Sequence, residues 1–200
     1  MKEFLIKRFN LFCFYLLTFI IACSRESDEA ILRREFSVPA SAKTIYSHIS
    51  PEEPGFFGRE GLRIDIGFQF NEQDFQKYLT DALKNGKWRE LPIPKDFLMK
   101  MLGIESTKQW IIKSYKNSGK ELPEEGSVYN PTIEQLYEDA LKSLDLPDTK
   151  GFYQCRTAGD DIMHKPKEIK MTLEKDLIDF ILAILDTENR QLIIRVRTKY

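Results

Sequence analysis

Histidine and cysteine are scarce in this chain, with two of the first and three of the second in 200 residues. No HExxH and no paired CxxC occurs, so the usual closely spaced zinc ligand patterns are excluded. Glycine is sparse as well, at 10 residues. "GFFGREG" at 55–61 and "NSGKE" at 117–121 fit neither GxGxxG nor the Walker pattern, so both read as loops rather than phosphate cradles. A GxSxG nucleophile elbow is missing too. Charge of one sign is not in excess: 30 Lys+Arg stand against 31 Asp+Glu, for a net charge of −1. That balance gives no clustered basic footprint for nucleic acid, and no nucleic-acid partner is expected. Long hydrophobic runs are wanting. The N-terminal apolar run, Leu11 to Ala22, has 12 residues, whereas a bilayer-spanning helix needs about 17–25.

What is present is a chain of globular composition, 42% hydrophobic and 30% charged, of a length that suits one domain with a substantial core. Its first 22 residues divide as a secretory signal does. Lys2, Lys7 and Arg8 supply a positive start, "LFCFYLLTFIIA" the apolar middle, and Arg25, Glu26, Asp28 and Glu29 forbid any extension. The middle ends on Ile20-Ile21-Ala22-Cys23: a branched apolar residue, a tolerant position, a small residue and a cysteine. This resembles the lipobox of bacterial lipoproteins, over residues 1–24 only. The resemblance implies cleavage before Cys23, a diacylglycerol thioether on its sulfur and acylation of the new amino group. Two or three acyl chains anchor a protein stably where one is marginal. An uncleaved anchor, or an ordinary secretory signal that leaves Cys23 a plain thiol, are the alternatives.

The expected organisation is therefore a signal peptide over 1–22, a lipidated Cys23 with a charged tether to residue 35, and a single domain over 36–200. The mature chain would carry a net charge of −3. Fully extended, the tether reaches about 40 Å at most, which keeps the domain close to the bilayer. Ser24 lacks the acidic residue of inner-membrane retention, so the outer membrane facing the periplasm is expected in a diderm host. Cys155, left without a disulfide partner, reads as a small buried strand residue.

Period-two alternation over Leu62–Phe70, "LRIDIGFQF", predicts a half-buried strand. Asn71 then caps a helix whose apolar face carries Phe75, Tyr78, Leu79, Ala82 and Leu83, stopped by Gly86. Residues 95–102 read as a short helix, and 106–117 fit helix or strand equally. A further helix is expected over Pro131–Leu146, with Asn130 and Pro131 at its start. "GFYQCRT" at 151–157, "IKMTL" at 169–173, "IDFILAIL" at 178–185 and "LIIRVRTKY" from 192, with "DTENR" as a turn, predict a C-terminal β-meander. The expected class is α+β, a mainly antiparallel sheet with helices packed on one face; a βαβ-type parallel arrangement is the runner-up.

Catalytic patterns are few. Asp160, Asp161 and His164, possibly with His48, are the candidates for an envelope hydrolase, provided that they converge; a solvated turn is the plainer reading of the first three. Adjacent carboxylates such as Glu52-Glu53 point apart and make no acid/base pair on their own. Two loops are candidate binding surfaces: Phe56 and Phe57 in "SPEEPGFFGREG", and Trp88 and Arg89 in "GKWRELPIP". Aromatics beside arginine give large contact area with polar handles. No cofactor is expected. The functional expectation is a non-catalytic binding or accessory module held to membrane lipid through Cys23, with an envelope protein or polymer as partner. An anchored inhibitor of immunity type is a further alternative.

Overall fold

The computed structural model describes residues 26–50, 61–159 and 161–198. The chain divides into a short N-terminal unit ending at Ser37 and a main unit that begins at Val38. In the first unit a helix, α1 (Asp28–Glu35), occupies much of the expected tether. Its charges explain it. Ser27 caps the N-terminus by accepting from the Ala30 amide, Asp28 and Glu29 open the first turn, Arg33 and Arg34 close the last, and Arg33 pairs with Glu29 at 2.9 Å. Such an order of charges complements the helix dipole and adds i,i+4 support, and Ile31 and Leu32 give the helix a short buried apolar side.

In the main unit the elements run β1 (Lys43–Ser50), β2 (Arg63–Gln69), α2 (Glu72–Lys84), β3 (Arg89–Glu90), α3 (Lys95–Leu102), α4 (Ile104–Asn117) and α5 (Ile133–Leu144). Strands β4 (Gly151–Thr157), β5 (Glu168–Lys170), β6 (Phe180–Asp186) and β7 (Gln191–Arg197) complete it. All seven strands among the described residues join one antiparallel sheet in the order β1-β2-β7-β6-β4-β3, with β5 sharing the β4 edge that β3 also uses. This is the expected α+β class with its C-terminal strand series: β4, β6 and β7 lie side by side. The last strand then pairs with β2, so an early and a late strand of the main unit adjoin inside the sheet, while β1 takes an edge.

Register decides the two faces. On one, Ile64, Ile66 and Phe68 of β2 stand beside Val196, Ile194 and Leu192 of β7, which stand beside Ile181, Ala183 and Leu185 of β6. All nine are buried. On the opposite face, Tyr153, Cys155, Leu182, Ile184 and Ile193 form one cluster with Phe97, Leu98, Met101, Ile104, Tyr137 and Leu144 of α3, α4 and α5. Each such side chain, fully buried, contributes about 1.5–3 kcal/mol. Central β6 is buried at every position, which is why its sequence is a near-continuous apolar run rather than a polar–apolar alternation.

Local signals set the helix boundaries. Asn71 caps α2 by accepting from the Asp74 amide, and Phe75 packs edge-on to Phe70 with ring centroids 5.9 Å apart. Gly103, at φ 62°, ends α3 in the left-handed region and lets α4 start at once. Residues 106–117 are thus helix. The start of α5 differs from expectation. Its cap is Thr132, in a reciprocal capping box with Gln135. Asn130 is instead buried, donating to the Pro123 carbonyl and accepting from Lys108 Nζ at 2.7 Å. The expected strand at 169–173 shortens to β5, because the Met171 carbonyl accepts from Arg89 instead. β1 went unforeseen: nearly all its side chains are solvent-facing, so no alternation marks it. No described helix is long and apolar enough to cross a membrane.

Candidate functional site

Among the described residues, those singled out from sequence do not gather into one site, although Asp161 and His164 meet. Cys23, Phe56, Phe57 and Asp160 lie outside the described residues. Trp88 and Arg89 are half-buried. Arg89 donates to the Met171 carbonyl at 2.6 Å, which ties β3 to the chain leaving β5, its neighbour along the β4 edge. Asp161 and His164 sit in one turn, with Asp161 Oδ1 2.7 Å from His164 Nδ1, and the backbone amides of His164 and Lys165 donating to the Asp161 carbonyl. His48 lies on β1, four strand spacings from β4, whose end leads into that turn. At about 4.8 Å per spacing those two strands stand roughly 19 Å apart across the sheet. Cys155 is enclosed, and burial pushes its thiol up to about 12, which keeps it protonated and unreactive at neutral pH. Among the described residues no group of three His, Cys, Asp or Glu side chains is placed to hold a metal ion.

A concavity lies elsewhere. A cleft of about 1160 Å³ opens between the β3–α3 connection and the α5–β4 connection, somewhat above the roughly 300–1,000 Å³ of typical small-molecule pockets. Leu91, Pro92 and Ile93 form one wall, while Leu141, Leu146 and Pro147 form the other. Ile184 of the central strand belongs to its floor. Charged side chains ring this apolar interior: Glu90, Glu138, Asp145 and Asp148 are acidic, and Lys142 and Lys150 basic. Lys150 is drawn towards Glu188, at 3.5 Å, and Asp145 towards Arg195, at 3.7 Å. Glu90, Glu138 and Asp148 thus leave the rim with an acidic excess.

A polar cluster beneath the C-terminus of α5 holds one of these walls. Arg195 of β7 is only 6% exposed. Its Nε donates to the Leu144 carbonyl and one terminal nitrogen to the Asp145 carbonyl, both at 3.2 Å, while the other terminal nitrogen donates to the Tyr46 hydroxyl at 3.1 Å. The last carbonyls of a helix lack intrahelical donors and carry its negative pole, so a guanidinium there satisfies both. Asp145 takes the left-handed conformation at this point, with φ 50°. Asp65 of β2 sits between Arg63, at 2.9 Å, and Arg197, at 2.7 Å, with Arg195 at 3.4 Å. Burial would push its carboxyl up, but the guanidiniums of Arg63 and Arg197 outweigh that and hold it below its ordinary value. Tyr46 crosses Gly67 of β2, where an added Cβ would meet its ring at 2.5 Å.

The other wall is tied to the sheet. Leu91 N–H donates to the Gly151 carbonyl at 3.0 Å, and Asp186 steadies the chain entering β4 by accepting from Thr149 Oγ1 at 2.7 Å. Asp186 also accepts from the Glu188 and Asn189 amides at 2.9 Å, closing the β6–β7 turn. Burial again favours its neutral form, and the bonds from Asn189, Thr149 and Glu188 overcome it, lowering its pKa. The cleft is therefore a shaped recess on a braced frame, and the lowered carboxylates around it act as structural acceptors. Sequence reading missed it because its walls come from segments about fifty residues apart, and Arg195 and Asp65 read there as ordinary polar positions of alternating strands. The chain matches no protein-family model, no curated protein and no solved structure.

Proposed function

We propose that this chain is a lipid-anchored protein of the bacterial cell envelope, whose main unit is a non-catalytic binding module that takes its ligand in the cleft. The anchor reading rests on the signal-like residues 1–22 and the lipobox-like Ile20–Cys23. The cleft is the observation that carries the binding role, since it joins an apolar interior to a charged rim on a rigid frame. In a diderm host the module would face the periplasm from the outer membrane. Two experiments test the two halves separately. Cells fed labelled palmitate should label the wild-type chain and not Cys23→Ser; an unlabelled wild type ends the anchor reading. A photo-crosslinking residue at Leu141 should capture a specific envelope component that the same residue at Asp81 on α2 does not. Equal capture, or none, from the two positions would remove the binding role.

The inhibitor reading has its own support in exposed side chains, with Trp110 at 65% and Tyr129 at 71%. Large exposed aromatics mark recognition surfaces when they serve as anchors in a partner's pocket. Under that reading Trp110→Ala or Tyr129→Ala abolishes the protection of cells that express the chain against its target, while leaving the cleft intact.

A further inference from the structure

We infer that the cleft takes a polypeptide segment that is both apolar and cationic. This rests on the binding-module reading and deepens it. Size is the first consideration: about 1160 Å³ stands just past the upper end of the roughly 300–1,000 Å³ of small-molecule pockets, which leaves room for several residues of a chain. The lining is the second. Leu91, Pro92, Ile93, Leu141, Leu146 and Pro147 give apolar surface on both walls, which burial of aliphatic side chains would reward.

Charge is the third consideration, and it decides between polymers. Glu90, Glu138 and Asp148 form no ion pair among the described residues, whereas Lys150 and Asp145 are each engaged by a neighbour outside the cleft, Glu188 and Arg195. Lys142 then stands against Glu90, Glu138 and Asp148 in the lining, and Lys95, held by Glu134, also acts on Glu138, so the rim keeps a net negative charge. None of these side chains is enclosed; each is exposed on the rim. An acidic rim repels phosphate-bearing lipids, anionic glycans and nucleic acids, and attracts lysine and arginine. Apolar and cationic side chains alternating along one chain are a property of polypeptides. The rim carboxylates would pair with the basic residues while the walls accept the apolar ones, which splits specificity and contact area between two sets of groups.

The test uses the full chain solubilised in mild detergent and three fluorescein-labelled octapeptides: alternating Leu and Lys, alternating Leu and Glu, and alternating Ser and Lys. Fluorescence anisotropy reads the binding. The Leu/Lys peptide is expected to bind, the other two at least about tenfold more weakly, and added salt to weaken the complex. Charge reversal at the rim, Glu138→Lys with Asp148→Lys, should weaken the Leu/Lys complex by about tenfold. Asp81→Lys, on α2 and outside the cleft, should leave it unchanged. These positions are exposed, and an unchanged circular dichroism spectrum and melting midpoint verify folding of each variant. Preferred binding of the Leu/Glu peptide overturns the ligand class while the cleft stands as a binding site. Binding that ignores the rim reversal, absence of binding by all three peptides, or occupancy by a fluorescent fatty acid instead overturns the inference. Palmitate labelling and crosslinking from Leu141 are read independently, so a failure here is told apart from a failure of the anchored-module reading.

Discussion

Replacing Arg195 by Met is the sharpest test of how this fold is braced. The guanidinium makes three hydrogen bonds, at 3.2, 3.2 and 3.1 Å, to the Leu144 carbonyl, the Asp145 carbonyl and the Tyr46 hydroxyl. A bond from a charged donor contributes about 1.5–3 kcal/mol, but these are long, and Asp145 is exposed, so its carbonyl regains water. Met also removes a buried charge and refills the space with apolar atoms, which offsets part of the loss. Asp65 is not orphaned, because Arg63 and Arg197 remain at 2.9 and 2.7 Å. The uncompensated cost is therefore the buried end of α5, where Leu144 is 1% exposed, and we expect about 2–3 kcal/mol. For a domain of this size that is roughly 4–12 °C in melting temperature. Urea denaturation followed by tryptophan emission measures it, with Arg63→Met as the comparison. Arg63 is about 43% exposed, and its loss should cost less than about 1 kcal/mol. If Arg195→Met matches or exceeds the wild type in stability, or costs no more than Arg63→Met, the brace is not what holds the α5 terminus. A real brace would also loosen the cleft wall that begins at Asp145, so ligand captured from Leu141 should fall in the same variant.

Asp186→Ala should cost about 2–3 kcal/mol, because the β6–β7 turn and Thr149 lose a shared ionised acceptor; a loss under 0.5 kcal/mol in urea titrations, on the order of a surface substitution, would refute that. Since the folded carboxyls of Asp186 and Asp65 titrate below their ordinary values, their stabilisation is complete above about pH 4 and disappears as pH falls through the depressed values. Stability of Asp186→Ala should accordingly change less between pH 5 and pH 2, taken as rough bounds of that window, than stability of the wild type does. Gly67→Ala displaces the Tyr46 ring and should destabilise by about 1–2 kcal/mol, yet cost almost nothing extra in a Tyr46→Ala background; additive costs would show that the ring does not rest on the glycine. In the folded chain Cys155 should resist iodoacetamide at pH 8, and react only in denaturant; prompt native labelling would contradict its burial.

Much of the architecture was legible along the chain because local chemistry dictates it. Alternation over 62–70 and the Asn71 cap each act within a few residues, where backbone sterics and side-chain period leave few options; β6 was expected as one alternating strand of the meander and is instead buried on both faces. Charged α1 and exposed β1 escaped notice for the converse reason. One is short and mostly charged, with only Ile31 and Leu32 buried among its apolar residues. The other is held by pairing with β2 and turns nearly all its side chains to solvent, so neither carries a sustained apolar period to read. The cap of α5 was misplaced by two residues because Asn130 resembles a cap in sequence but is drawn into the bonds of Lys108 and Pro123.

The amino-acid order alone pointed to the α+β class and the C-terminal strand series, both of which the structure shows. Only the fold put β7 between β2 and β6, buried Arg195 under the end of α5, and drew 90–93 and 141–151 together around a recess. Such a site depends on loops closed over long stretches of chain and on which strand edge finds which partner. Those outcomes follow from the free energy of the whole packed molecule, and no short window of residues encodes them.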